Sequence, residues 1–470
     1  MSAFSRYLLG LTNSLLTPSQ RATHTYVVGQ PGTGKSRALE SWALQDIRAG
    51  HGVAVIDPHG DLFQHLVAHL STQPDVWERL VIIDATDRTW VVSFNPLQAM
   101  PGVSQERLSL FLTDVMMKIW RLDVAEAPRL VWLLTNSFLA LSSLGLTLLD
   151  LPRFLLDAEF RNHLLPNITH EQARAYFAYE YPTSSGAARQ WATPLLNKIG
   201  GLIFDTDLRL LVAGRSTVNF REVLDKQLIL LVNIPKGIIG EAPSALLGAF
   251  IVAHLQKAAL SRADTHRRRP YYLYLDEFQN YTTDNIRDIL SESRKYALAL
   301  TLAHQYLDQL SPELRSAVLN TTGTLCCFRV GYHDAVQLAK DIFPSSEFLA
   351  ETSHHVNLRR SWRLPLVTVK DERDLLGWDG LAHLLTNLPT RQFWVKRRET
   401  VVPAKLRTLD MPDLVYTPER KKAIRDMRSF VGKQFGRLKT EVAREIAQSR
   451  VFEGKKEKRK PQSTNSWWGR

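Results

Sequence analysis

Eight consecutive residues near the start of the chain, Gly29-Gln-Pro-Gly-Thr-Gly-Lys35-Ser36, have the types and spacing to hold a phosphate. They fit the pattern G-x-x-x-x-G-K-[ST], and the context fits too: the strand-like run Thr25–Val28 precedes them and a helical pattern (Ala38, Leu39, Trp42, Ala43) follows. Gly29, Gly32 and Gly34 let the loop wrap so that its N–H groups face inward. The helix that starts near Lys35 aims its positive end at the same point. Lys35 is expected to neutralise β- and γ-phosphates, and Ser36 to ligate Mg²⁺. The expected contact set is Gly29, Gln30, Pro31, Gly32, Thr33, Gly34, Lys35, Ser36 and Arg37.

Hydrolysis needs more than a cradle. Tyr271-Tyr-Leu-Tyr-Leu-Asp276-Glu277 is an apolar run ending in two acids. Asp276 would hold Mg²⁺ through water, and Glu277 would act as general base on the attacking water. A strand that ends in buried acids needs a reason, because an uncompensated carboxylate there is costly. Gln305 follows the next strand-like run, Ala299–Ala303, and is placed to hydrogen-bond the γ-phosphate or its water. Between the two runs, Asn285–Ala297 has helical spacing and ends in Arg294-Lys295. There Arg294 is either a cation on the helix dipole or a functional group.

The elements that must position these residues read as α/β. Gly52–Asp57, Leu80–Asp84, Leu228–Asn233 and Thr324–Val330 are further continuous apolar runs, separated by helical segments. That is the pattern of buried parallel strands. Weaker strand signals lie at Leu366–Val369 and Gln392–Val395. Residues 104–200 carry helical spacing and read as an all-α insertion. The expected division is 1–103 and 201–417 for the two parts of the nucleotide-binding core, 104–200 for the insertion and 418–470 for a basic helical tail.

The chain has 470 residues, 44% apolar and 23% charged, so a wholly disordered or fibrous protein is excluded. Its 2 cysteines, Cys326 and Cys327, are adjacent, which excludes a disulfide framework and fits core packing. Of the net +12, most sits at the end: Pro418–Arg470 holds 16 Lys and Arg against 6 Asp and Glu. Such a tail either meets a polyanion, nucleic acid or a membrane surface, or is a solvated face. Leu130–Leu149 is 20 residues without a charge, long enough to cross a bilayer. A single span there would separate the phosphate loop from Asp276-Glu277, which must share one nucleotide, so a buried helix is expected. The apolar patch Tyr7–Leu11 is too short for a span.

Taken in order, Gly29–Ser36, Ile56-Asp-Pro-His-Gly-Asp-Leu62, Ser93-Phe-Asn-Pro-Leu97, Leu275-Asp-Glu-Phe-Gln-Asn280, Ile289–Leu298 and Leu302–Leu310 form a set. Over roughly residues 20–415 that set resembles the HerA–FtsK superfamily of ring-forming motor ATPases, and within it the coupling proteins of type IV secretion and conjugation. The resemblance implies a RecA-like core, ATP and Mg²⁺ as cofactors, a homo-hexamer, and ATP-driven movement of DNA or recruitment of a DNA–protein substrate. Relaxase or secretion-channel proteins are the implied partners. It makes Lys35, Glu277 and Gln305 catalytic, with Asp276 and Ser36 at the metal, and sends Arg294 to the neighbouring subunit's nucleotide. Asp57, His59 and Asp61 match a motif whose chemistry the residues do not give. Many coupling proteins begin with transmembrane helices; with the phosphate loop at residue 29, the expectation is a cytoplasmic protein, peripheral at the inner face of the membrane only through partners. Two readings of another class stay open: an ATP-dependent switch or scaffold, and a secretion ATPase with protein cargo. A GTPase is disfavoured, since Asn197-Lys198 does not continue into N-K-x-D.

Overall fold

Strands whose side chains are apolar on both faces can be satisfied only in the middle of a layered sheet. The computed structural model has such a sheet. It describes residues 18–455 except 100–101, 124, 282–289, 291, 344–377, 401 and 412–413. The strands are β1 (Thr25–Val28), β2 (Gly52–Asp57), β3 (Leu80–Asp84), β4 (Trp90–Val91), β5 (Ile229–Asn233), β6 (Tyr271–Leu275), β7 (Leu298–His304), β8 (Thr324–Cys327), β9 (Gln392–Arg397), β10 (Ala404–Arg407) and β11 (Arg437–Leu438). Nine of them form one sheet in the order β10-β9-β8-β1-β7-β6-β2-β5-β3. From β8 to β3 all neighbours are parallel; β9 and β10 are antiparallel additions at one edge. β4 and β11 pair separately. The fold is thus α/β with a mostly parallel sheet, as its apolar runs predict.

β1, β2 and β3 have the predicted bounds. β8 stops at Cys327, earlier than the run to Val330, because the chain leaves the sheet there to brace the phosphate loop (below). Both cysteines are buried. The weak signal at Gln392 is β9; the one at Leu366–Val369 lies outside the described residues, as do Tyr7–Leu11 and the first residues of the expected 285–297 helix. The described end of that helix, Ser293–Tyr296, is a 3₁₀ turn closed by Ala297 in the left-handed region (φ 58°).

The helices that matter below are α1 (Lys35–Arg48), α2 (Asp61–Leu70), α3 (Gln105–Ile119), α4 (Pro128–Ser143), α5 (Ser185–Ile203), α6 (Glu241–Ser261), α7 (Pro418–Phe435) and α8 (Lys439–Lys455). Between β4 and β5 the regular elements among the described residues are helical, and they run on past residue 200 through Leu208–Val212 and Phe220–Asp225. The uncharged run 130–149 does not form one span. α4 ends at Ser143, and the chain turns by 119° into the next helical pair, with Thr147 and Asp150 capping each other. Leu133, Leu134 and Phe138 are fully buried. Among the described residues one helical stretch, Glu241–Asp264, is long and apolar enough to cross a membrane, and 83% of its most apolar 18-residue window is buried inside the fold.

The basic C-terminal segment differs most from expectation. Its described part, 418–455, is helical but for β11, and the helix α7 is docked. Ile424, Met427, Val431 and Phe435 recur every three or four residues and face the core, Met427 and Val431 fully buried. Arg428 bridges Asp84 and Asp87 at 2.8 and 2.9 Å. Gly432 lets Trp90 lie against the helix, where a Cβ would meet its ring at 2.3 Å. After Gly436, β11 pairs with β4, and Lys439 reaches Asp207 at 2.9 Å.

Candidate functional site

β7 lies between β1 and β6. The C-terminal ends of these three strands therefore place the phosphate loop, Gln305 and the acid pair side by side. A cavity of about 410 Å³ opens there, lined by Pro31, Gly32, Gly34, Lys35, Ser36, Arg37, Asp57, His59, Asp61, Leu62, Asp276, Glu277, Gln305, Thr390 and Arg391. Such a crevice beyond the carboxyl ends of parallel strands is where open α/β sheets bind ligands.

The loop is braced from outside. Phe328 N donates to Val28 O and Gln30 N to Arg329 O, both at 2.8 Å. A Cβ at Gly29 would sit 2.5 Å from Phe328 Cβ, so only glycine fits this approach. Gly34 (φ 109°) turns the chain into α1. Lys35 folds its amino group back onto the loop, donating to Gly29 O and, at 3.1 Å, to Gln30 O. Burial lowers its pKa, while Glu277 and Asp276 pull it back up. Ser36 Oγ donates to Asp276 Oδ2 at 3.3 Å, so the two expected metal ligands touch. Thr33 Oγ1 donates to Gln30 O, tightening the loop.

Asp276 is buried, and its pKa is pushed up to about 7 by burial and by the negative charges of Asp57 and Glu277, against Lys35. Burial and neighbouring like charge both disfavour the ionised form of a carboxyl. Glu277 is also buried and sits at φ 46°, in the left-handed region. Its two oxygens accept from two amides, Gln305 Nε2 on Oε1 at 2.8 Å and Gln279 Nε2 on Oε2 at 2.7 Å. Backbone strain at a residue whose side chain is held this firmly is typical of a working group. His304, the residue before Gln305, is kept neutral, its pKa lowered to about 3 by burial and then by Lys35.

Asp57 now has a structural explanation. Fully buried, it accepts from His59 N at 2.8 Å and Phe63 N at 2.9 Å, capping the start of α2. His59 is exposed, and with Asp61 it forms the cavity wall facing the loop. Arg37 is steered by Glu40 at 3.0 Å. Burial opposes the charge on Glu40, yet bonds from His65 and His69 hold its pKa down to about 2.

Arg294 is not brought to this cavity. It is exposed in the turn that enters β7, whereas Gln305 follows the other end of the strand. Seven residues of strand at about 3.3 Å each separate the two by about 23 Å. Sequence reasoning missed Gln279, Thr390 and Arg391. The first lies two residues after Glu277, inside the quoted run Leu275–Asn280; the others precede the weak strand signal at Gln392.

No protein-family model matches the sequence, and no curated protein does. Solved structures do. The bacterial conjugative coupling protein TrwBΔN70 in an unbound monoclinic form is 15% identical, with a TM-score of 0.58 over 85% of this chain and 88% of that one. TrwB with the non-hydrolysable ATP analogue ADPNP is 16% identical, with a TM-score of 0.57 over the same shares. TrwB with ADP and Mg²⁺ is 16% identical, with a TM-score of 0.59 over 86% and 88%. At such identity the likeness is one of fold: the chain has the RecA-like α/β fold of the conjugative coupling protein TrwB.

Proposed function

We propose that the chain is an ATP-hydrolysing motor of the type IV secretion and conjugation kind, working as a homo-hexamer that moves DNA or recruits a DNA–protein substrate. One observation carries the reading: residues some 240–270 positions apart, Lys35 and Ser36 on one side, Asp276, Glu277 and Gln305 on the other, line a single cavity. Lys35 would leave the loop carbonyls for the β- and γ-phosphates. Ser36 and Asp276 would hold Mg²⁺, which supplies charge neutralisation on the phosphates. Glu277 would take the proton of the attacking water, with Gln305 orienting that water or the γ-phosphate. TrwB structures hold ADPNP, or ADP with Mg²⁺, which supports ATP and Mg²⁺ as this site's cofactors. The helical region that begins at residue 104, expected to end at 200 but carried on by helices to Asp225, serves as an all-α domain set into the ATPase core. The protein acts in the cytoplasm, at the inner face of the membrane through relaxase or channel partners.

The test is turnover of Mg·ATP by the whole chain, with and without single- and double-stranded DNA, beside a mass measurement with nucleotide. DNA-stimulated hydrolysis by a hexamer is the expected result. Hydrolysis indifferent to DNA would leave a secretion ATPase with protein cargo; absence of hydrolysis would leave a switch or scaffold.

The docked helix α7 changes how its DNA contacts must be probed. Deleting 418–470 would strip Met427 and Val431 from the core and confound the result. Lys421, Lys422 and Arg425 are exposed on the outer face. Replacing all three by Ala is expected to leave the fold intact. If they meet phosphates, the slope of log K against log salt becomes shallower by about 2–3, at about 0.9 per contact on duplex DNA. An unchanged slope makes this a solvated face.

A further inference from the structure

Lys35 and Arg37 reach the cavity from the start of α1, next to the phosphate loop in sequence. A third cation, Arg391, comes from the far end of the chain. β9 runs antiparallel to β8, so its first residues lie at the same end of the sheet as the last residues of the parallel strands. Arg391 N donates to Thr33 O at 2.7 Å. The contact with the loop is so close that a Cβ on Gly34 would stand 3.2 Å from Arg391 Cα and 3.4 Å from its Cγ. Arg391 itself has φ 70°, a left-handed conformation that glycine adopts freely and arginine does not. Bonds on both sides hold it there, since Arg391 O also accepts from Thr408 N at 2.8 Å. A fold that needed only the turn would be served better by glycine; the strain is explained if the side chain has work to do.

That side chain is about one-third exposed and is paired with Asp410, which also binds Arg407 at 3.2 Å. One carboxylate shared between two guanidiniums neutralises only one of them. If Arg391 leaves, Asp410 keeps Arg407, so Arg391 is available to an anion in the cavity.

We propose that Arg391 is a nucleotide-binding residue of this site, contacting the α- and β-phosphates from the rim of the loop. The proposal rests on the nucleotide reading above. The α/β end follows from position. Arg391 abuts Thr33 and Gly34, part of the loop whose backbone cradles those phosphates, while Glu277 and Gln305 mark the γ end.

Equilibrium titration of the whole chain with Mg·ATP and Mg·ADP, alongside thermal melting without nucleotide, tests this. In Arg391→Gly the backbone relaxes, so the melting temperature should stay level or rise. Affinity for both nucleotides should fall by about tenfold or more, the effect of a lost charge-assisted bond. Arg391→Lys should recover part of that loss, and Lys35→Ala should weaken both nucleotides independently. Unchanged affinity in Arg391→Gly, with the parent binding normally, overturns the inference alone. So does a loss confined to ATP, which would place Arg391 at the γ-phosphate, or a loss accompanied by a lowered melting temperature in both variants, which would make it a clamp of the fold. A parent that binds neither nucleotide overturns the reading of the site and this inference with it.

Discussion

Glu277→Gln is expected to bind ATP within a few-fold of the parent and to lose about 10²–10⁴ in turnover, the range for a positioned general base. The geometry favours a clean separation of the two effects. Both oxygens of Glu277 accept from amides, those of Gln305 and Gln279. A glutamine at 277 presents one oxygen and one NH₂ in the same shape. Either neighbouring amide can turn over and offer its own oxygen to the new NH₂. The site keeps its packing and its hydrogen bonds, and loses only the group that can take a proton from water. Lys35→Ala acts on the other half of the problem. It removes the buried cation that faces the phosphates, so nucleotide affinity falls and hydrolysis falls with it. Direct binding measurements beside single-turnover hydrolysis distinguish the two variants. Wild-type turnover by Glu277→Gln would remove the acid pair from the mechanism.

How far the sequence alone reaches can be read from which residues it marks. β1, β2, β3, β5 and β6 are legible because strands buried on both faces must be apolar without interruption. Lys35, Ser36, Asp276 and Gln305 are legible because each follows such a strand, and in parallel sheets the chemistry gathers at strand ends. Arg391 escapes the same rule for a physical reason. β9 is antiparallel, so its beginning faces the site, and a search for polar residues after strands passes it by. Gln279 acts through Glu277 and carries no spacing signal of its own. β4 and β11 are two residues each, too short for any periodicity. Docking of α7 was written in Ile424, Met427, Val431 and Phe435, but the surplus of Lys and Arg around that stripe draws attention to charge. Arg428, one of those cations, is in fact spent inside the fold on Asp84 and Asp87.

Arg294 gives the second large effect, and the structure sharpens its terms. Standing at the entry of β7, about 23 Å of strand from Gln305, it cannot serve the nucleotide of its own subunit without unmaking the sheet. Its two remaining roles are a surface cation and a group presented to a neighbour. Its exposure suits both, so the decision falls to kinetics. If it acts in trans on negative charge at the transferring phosphoryl group, Arg294→Ala should bind ATP normally and lose on the order of 10³–10⁵ in turnover. Mixing then tests the geometry. Lys35→Ala subunits have an intact Arg294 and a disabled loop; Arg294→Ala subunits have the reverse. In mixed rings some interfaces join the intact Arg294 of one to the intact loop of the other, and activity should return in part. A role within one subunit predicts no recovery, because each chain then carries its own defect. Rings must be shown to be mixed, by mass or by labelled subunits, and a ring in which one Glu277→Gln subunit already stops all hydrolysis would need the comparison made on nucleotide exchange instead. Wild-type turnover by Arg294→Ala would leave it a cation at the end of a turn, and the partner for the γ-phosphate would have to come from another element.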